Sequence, residues 1–187
     1  MVKETGLWEN TREVSSLFKK FLPDRHVKSI LDIKPEELKK HHIKGIITDL
    51  DNTLVAWYEP EATPALKTWF QEMKAAGIKV TVVSNNSENR VKAFCAPLDV
   101  PFISKARKPL TKSFRRAIEK MGLKKDEVVV IGDQLMTDVW GARRLGVYTI
   151  LVVPVAMTDG FMTRLNRKIE RQILNHLRKK GLIYWED

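Results

Sequence analysis

Short runs of β-branched residues alternating with helical patterns constrain this chain more than any other feature. The runs are KGIITDL at 44–50, IKVTVVS at 78–84, EVVVIGD at 127–133 and VYTILVV at 147–153, with the briefer PFIS at 101–104. Between them, residues 64–76 place Leu66, Phe70 and Met73 on one helical face. Residues 110–121 do the same with Leu110, Phe114, Ala117 and Met121, and Gly77 and Gly122 stand as helix stops. This repeated β-α-β grammar predicts an α/β fold: a single Rossmann-like domain with a mostly parallel five-stranded sheet flanked by helices. Ligands of such sheets bind at the carboxyl ends of the strands, near a topological switch point.

The 187 residues, 43% of them hydrophobic, suit one core rather than two. We expect a flank over residues 1–43 packed on the core, the core itself over 44–157, and a basic amphipathic helix and tail over 158–187 within the same domain. In that last segment Phe161, Leu165, Ile169, Ile173 and Leu177 recur at helical spacing among Arg164, Arg167, Lys168, Arg171, Arg178, Lys179 and Lys180. Its apolar stripe suits either the sheet or an anionic membrane, with Trp57, Tyr184 and Trp185 as candidate interfacial anchors. No apolar run is long enough to cross a bilayer and the N-terminus lacks a signal-peptide core, so the expected location is cytoplasmic, with peripheral contact at the inner face of the membrane. Cys95 has no cysteine partner and is expected to be packed. The net charge of +10 favours phosphate-rich partners, either an anionic lipid or a polyphosphorylated substrate; nucleic acid is disfavoured by the absence of an aromatic-rich RNA-binding stretch.

Chemistry concentrates in the run IITDLDNTLV. Asp49, Asp51 and Thr53 follow a buried-type strand, and continued strand alternation would send Asp49 and Asp51 to one mouth, where they repel unless a cation intervenes. Magnesium, which prefers a few carboxylates with water and phosphate, would settle that repulsion and keep Asp49 ionised. Three further pieces sit at the ends of later strands: Ser84 with Asn85 in TVVSNN, Lys108 in KARKP, and Asp133 with Asp138 in VVVIGDQLMTD. Together they offer what phosphoryl transfer requires, namely donors for the equatorial oxygens, a cation against developing charge, and an acid for the leaving alkoxide. Blander roles exist. The Asp-Asn-Thr run suits a turn or helix cap, Asn85 and Asn86 suit capping of the helix that follows, and Asp138 suits a helix start. His26, His41, His42 and His176 fall outside every motif and are read as structural or surface groups.

In order and spacing these motifs, DxDxT, a strand-end Ser, a Lys and GDxxxxD, resemble the haloacid dehalogenase superfamily of phosphatases over residues 44–152. The flanks FLPDRHVKSILDI and GDQLMTDVWGARRLG extend the resemblance to its capless subclass IIIA, the YqeG-like group related to phosphatidylglycerophosphate phosphatases. The resemblance implies a magnesium-dependent phosphate monoester hydrolase with Asp49 as nucleophile and metal ligand. It implies Asp51 as acid and base with a carbonyl on the metal, and Ser84, Asn85 and Lys108 around the phosphoryl group. Asp133 would complete the metal shell, Asp138 would support Lys108 or a metal-bound water, and Thr53 would brace the loop. The interval from Leu54 to Pro64 has room only for a small flap, so no cap domain is expected. The implied substrate is phosphatidylglycerophosphate. The alternatives are a soluble or nucleic-acid-linked phosphate, or a basic RNA- or ribosome-associated binding module on the same scaffold.

Overall fold

The computed structural model describes residues 20–156, 161–179 and 181, and of residues 161–169 the backbone alone. Six parallel strands form one sheet: β1 Arg25–Val27, β2 Gly45–Thr48, β3 Lys79–Val83, β4 Phe102–Ile103, β5 Val128–Gly132 and β6 Tyr148–Val152. Their order across the sheet is β1-β6-β5-β2-β3-β4. The chain therefore lays β2, β3 and β4 outward to one side, then crosses over to place β5 on the other side of β2. The reversal between β2 and β5 is a switch point, where loops diverge at the carboxyl ends and leave a crevice.

The helices are α1 Pro35–Lys40, α2 Pro64–Ala75, α3 Glu88–Cys95, α4 Lys112–Met121, α5 Trp140–Arg143 and α6 Phe161–Lys179. They cover both faces of the sheet, and the strands are consequently apolar on both sides. Ile46, Val82, Val129 and Ile131 enter one core cluster, with Trp69, Phe70 and Met73 of α2 and Phe94 of α3. Their sequence neighbours Ile47, Val83, Val128 and Val130 enter the other, with Phe114, Ala117 and Met121 of α4. Alternation in a strand sends successive side chains to opposite faces, so a continuous β-branched run is what a doubly covered sheet needs. Local signals set the helix ends: Thr63 and Ser87 accept from Leu66 N and Arg90 N as N-caps, and Gly122 closes α4 at φ 65°. Cys95 is fully buried, and its thiol is pushed up to about 12 by that burial.

The structure departs from the sequence reading in the strand count and at Leu110, and at α6 it decides between two covers that the sequence left open. The sheet has six strands rather than five, because Arg25–Val27 in the expected flank pairs in parallel with Ile150–Val152. A three-residue edge strand is too short to show a period of two, so its signal is lost among its polar neighbours. Leu110 is 54% exposed instead of lying on the apolar face of a helix, since α4 starts only at Lys112 and Leu110 sits in the turn before it. In α6, Leu177 is fully buried, while Ile173 and Leu174 pack against Leu135, Val139 and Leu151. The later part of the amphipathic stripe thus rests on the protein core; the side chains of Phe161, Leu165 and Ile169, together with Tyr184 and Trp185, lie outside the described residues.

Candidate active site

Asp49 is the first residue beyond β2, its backbone N–H still donating to Ile131 O of β5 at 3.0 Å. Asp133 follows β5 directly, so the switch point brings together two carboxylates 84 positions apart in sequence. Asp138 arrives from a π-helical turn over Leu135–Val139. Asp49, Asp133 and Asp138 are all buried, and one oxygen of each lies within 4.8 Å of the others. The fit of Asp138 depends on Gly132: a Cβ there would stand 2.4 Å from the Asp138 Oδ2. Only glycine lets the strand end approach a carboxylate so closely.

Lys108 is the cation set among them. Its Nζ lies 2.9 Å from Asp49 Oδ1 and 2.7 Å from Asp138 Oδ1. Burial penalises the Lys108 ammonium, but Asp138 and Asp49 more than offset that and hold its pKa above the ordinary lysine value. Burial likewise raises the Asp138 carboxyl above its ordinary value, against the pull of Lys108. Asn85 fixes the Lys108 backbone, its Oδ1 accepting from Lys108 N at 2.7 Å and its Nδ2 donating to Lys108 O at 3.1 Å. Both polar ends of the Asn85 amide are thereby engaged. Ser84 is buried, and its Oγ accepts from Asn86 N at 3.0 Å, which leaves its hydroxyl proton to donate elsewhere. Thr53 does more than brace its loop, donating from Oγ1 to Asp133 Oδ1 at 2.8 Å.

The reading of Asp49 and Asp51 as strand-alternating neighbours gives way to a different geometry. The strand ends at Thr48, and the chain then turns tightly: Asn52 N donates to Val55 O at 2.7 Å and Asn52 adopts φ 64°. Asparagine tolerates that left-handed conformation better than most residues, which accounts for its place in the motif. Asp51 leaves this turn toward α3. Arg90 donates to its Oδ1 from Nε at 3.2 Å and from Nη2 at 3.1 Å, and Asn86 Nδ2 donates to its Oδ2 at 2.9 Å. Each aspartate therefore has its own cation, Lys108 for Asp49 and Arg90 for Asp51. Partial burial is the main cause of a raised Asp51 pKa, and Arg90 and Asn86 oppose it. Arg90 escaped the sequence reading because it sits in the first turn of α3, where a single basic residue forms no motif of its own.

Three buried carboxylates, two of them paired with one ammonium, leave an excess of negative charge and hard oxygen donors, which fits a divalent cation. Among the described residues, no inserted domain covers the site. The stretch from Leu54 to Thr63 forms a small flap on which Trp57 and Tyr58 are 44% and 58% exposed, their rings edge to face at 5.7 Å.

Comparison with known proteins agrees with this geometry. Residues 56–146 match the family model described as haloacid dehalogenase-like hydrolase. The Bacillus subtilis protein named "Probable phosphatase YqeG" is 63% identical over 171 residues, spanning 91% of this chain and 99% of that one. The chain belongs to the haloacid dehalogenase-like hydrolases. Within that family it is a phosphatase of the YqeG group. The Arabidopsis thaliana chloroplastic/mitochondrial phosphatidylglycerophosphate phosphatase 1 is 28% identical, over 86% of this chain and 49% of its own length. In fold, the chain resembles the cobalt-bound deoxy-D-mannose-octulosonate 8-phosphate phosphatase of Haemophilus influenzae, with a TM-score of 0.52 at 17% identity over 79% of this chain and 96% of that one. The matched stretch of the family model begins after Asp51 and does not include Asp49 or Asp51.

Proposed function

We propose that this haloacid dehalogenase-type phosphatase hydrolyses a phosphate monoester through a transient aspartyl-phosphate on Asp49, with magnesium as its metal and phosphatidylglycerophosphate as its substrate. The observation that carries the mechanism is the buried set of Asp49, Asp133 and Asp138 at the switch point, with Lys108 paired to Asp49 and Asp138. Asp49 and Asp133, with the backbone carbonyl of Asp51, would hold the metal. When bound, it supplies positive charge against the phosphoryl oxygens.

An Asp49 oxygen attacks phosphorus in line with the ester oxygen, the P–O bond to the alcohol breaks, and Asp51, protonated from solvent before the attack, hands the departing alkoxide its proton. Ser84 Oγ donates to the transferring group and Lys108 Nζ balances its charge. Asp138 holds Lys108 at its post. Asp51, now ionised, takes a proton from water as that water attacks phosphorus, which releases phosphate and restores Asp49.

The lipid substrate is supported by the name of the Arabidopsis relative, a site that no inserted domain covers among the described residues, and the net charge of +10. Phosphate release from phosphatidylglycerophosphate in mixed micelles, with magnesium or a chelator, tests both parts. The expected result is magnesium-dependent release that falls by roughly four orders of magnitude in Asp49→Asn and by a hundredfold or more, roughly, in Asp51→Asn. Undiminished turnover by Asp49→Asn would remove the aspartyl-phosphate; turnover confined to soluble esters would remove the lipid.

A further inference from the structure

Arg90 is the one residue of this site that no motif anticipates, and its surroundings define what it can do. In an in-line displacement the acid must reach the oxygen of the leaving alcohol, so groups that flank Asp51 border the leaving group. Arg90 touches Asp51 through Nε and Nη2, and its Nη1 reaches Pro60 O of the flap at 3.4 Å. The Phe94 ring backs it, 6.0 Å from the guanidinium carbon. A guanidinium carries five N–H groups. These contacts use three, which leaves one on Nη1 and one on Nη2, and the side chain is 17% exposed.

Charge distinguishes Arg90 from Lys108. Lys108 is spent between two buried carboxylates, whereas Arg90 faces a single carboxylate that has to turn to the leaving oxygen during turnover. A guanidinium deprived of its carboxylate in a partly dry setting needs another anion, and its planar fork matches phosphodiester and carboxylate oxygens.

We propose, on the footing of the phosphatase reading above, that Arg90 forms a subsite for a second anionic group carried by the leaving alcohol. When that anion pairs with Arg90, Asp51 is released to the ester oxygen, so one contact both selects the substrate and frees the acid. The specificity of the enzyme is thus for a phosphate monoester with a further negative charge on the alcohol side.

The test measures kcat/KM for glycerol 3-phosphate, for its analogue bearing a methyl phosphodiester on the distal hydroxyl, and for 3-phosphoglycerate. These compare a neutral leaving group with two anionic ones of different source. p-Nitrophenyl phosphate, whose leaving group needs little protonation, reports phosphoryl transfer itself. The wild type is expected to prefer at least one anionic substrate over glycerol 3-phosphate by about tenfold or more. In Arg90→Gln that ratio should fall to about twofold or less, with Arg90→Lys intermediate and unfolding midpoints confirming that both variants fold. A wild type without the preference, or an Arg90→Gln that keeps it, overturns the subsite. Equal losses on all substrates also overturn it and make Arg90 only a brace for Asp51. Failure of the wild type on p-nitrophenyl phosphate as well would remove the phosphatase reading itself, a result distinct from the others.

Discussion

At the scale of single residues, the site is built from pairs in which one side chain has a part in the proposed chemistry and another fixes its position. Thr53 and Asp133 are such a pair, joined at 2.8 Å inside the protein. Hydrogen bonds to metal-binding carboxylates are commonly worth a factor of 10–100 or so in metal affinity. Thr53→Val, close in shape but without the hydroxyl, is therefore expected to raise the magnesium concentration for half-maximal activity by at least about tenfold, and Thr53→Ser to restore most of it. A magnesium titration of phosphatase activity checks this; an unchanged midpoint would reduce Thr53 to a loop residue. The partners in these pairs were unevenly legible in the sequence. Asp49, Asp133 and Lys108 stand in recognisable strand-end contexts, so their types and spacing pointed to phosphate chemistry. Arg90 and the grip of Asn85 on the Lys108 backbone did not show, because a contact 39 or 23 residues away leaves no local pattern.

At the scale of elements, α6 illustrates how a polar residue can anchor an apolar face. Glu170 is 2% exposed, and its carboxylate accepts from Met136 N of the π-helical turn at 2.9 Å. That turn also presents Asp138, so the last helix is tied to an element of the active site. Glu170→Ala strands the Met136 N–H, and the expected loss is about 1–3 kcal/mol in urea unfolding. Glu170→Gln, which keeps a carbonyl acceptor, should lose less. If the alanine variant unfolds at the wild-type urea midpoint, the tether contributes nothing and apolar packing of Ile173, Leu174 and Leu177 alone seats the helix. The sequence periodicity indicated an apolar stripe here but left open whether protein or membrane would cover it. For Ile173 and Leu174 the answer is protein, because the π-turn residues Leu135 and Val139, far away in sequence, supply the matching surface.

At the scale of the whole molecule, the net charge of +10 and a site left without an inserted domain among the described residues bear on the proposed lipid substrate together. Each basic residue near an anionic surface adds about 1 kcal/mol of attraction, and salt screens it over roughly 10 Å at 0.1 M. Co-sedimentation with vesicles rich in phosphatidylglycerol is expected at low ionic strength and should be lost near 0.5 M salt, roughly; no binding at low salt would count against membrane-borne substrate. Among the described residues no helix is long and apolar enough to cross a membrane. The sequence by itself determined the alternation of strands and helices, the doubly buried character of the sheet and the carboxylate motifs, because each is written in residues a few positions apart. Only the tertiary structure decided the sheet order that brings Asp49 to Asp133, the edge strand Arg25–Val27, the turning of Asp51 toward Arg90 and the docking of α6. Those depend on which distant surfaces fit one another, and that complementarity has no period along the chain.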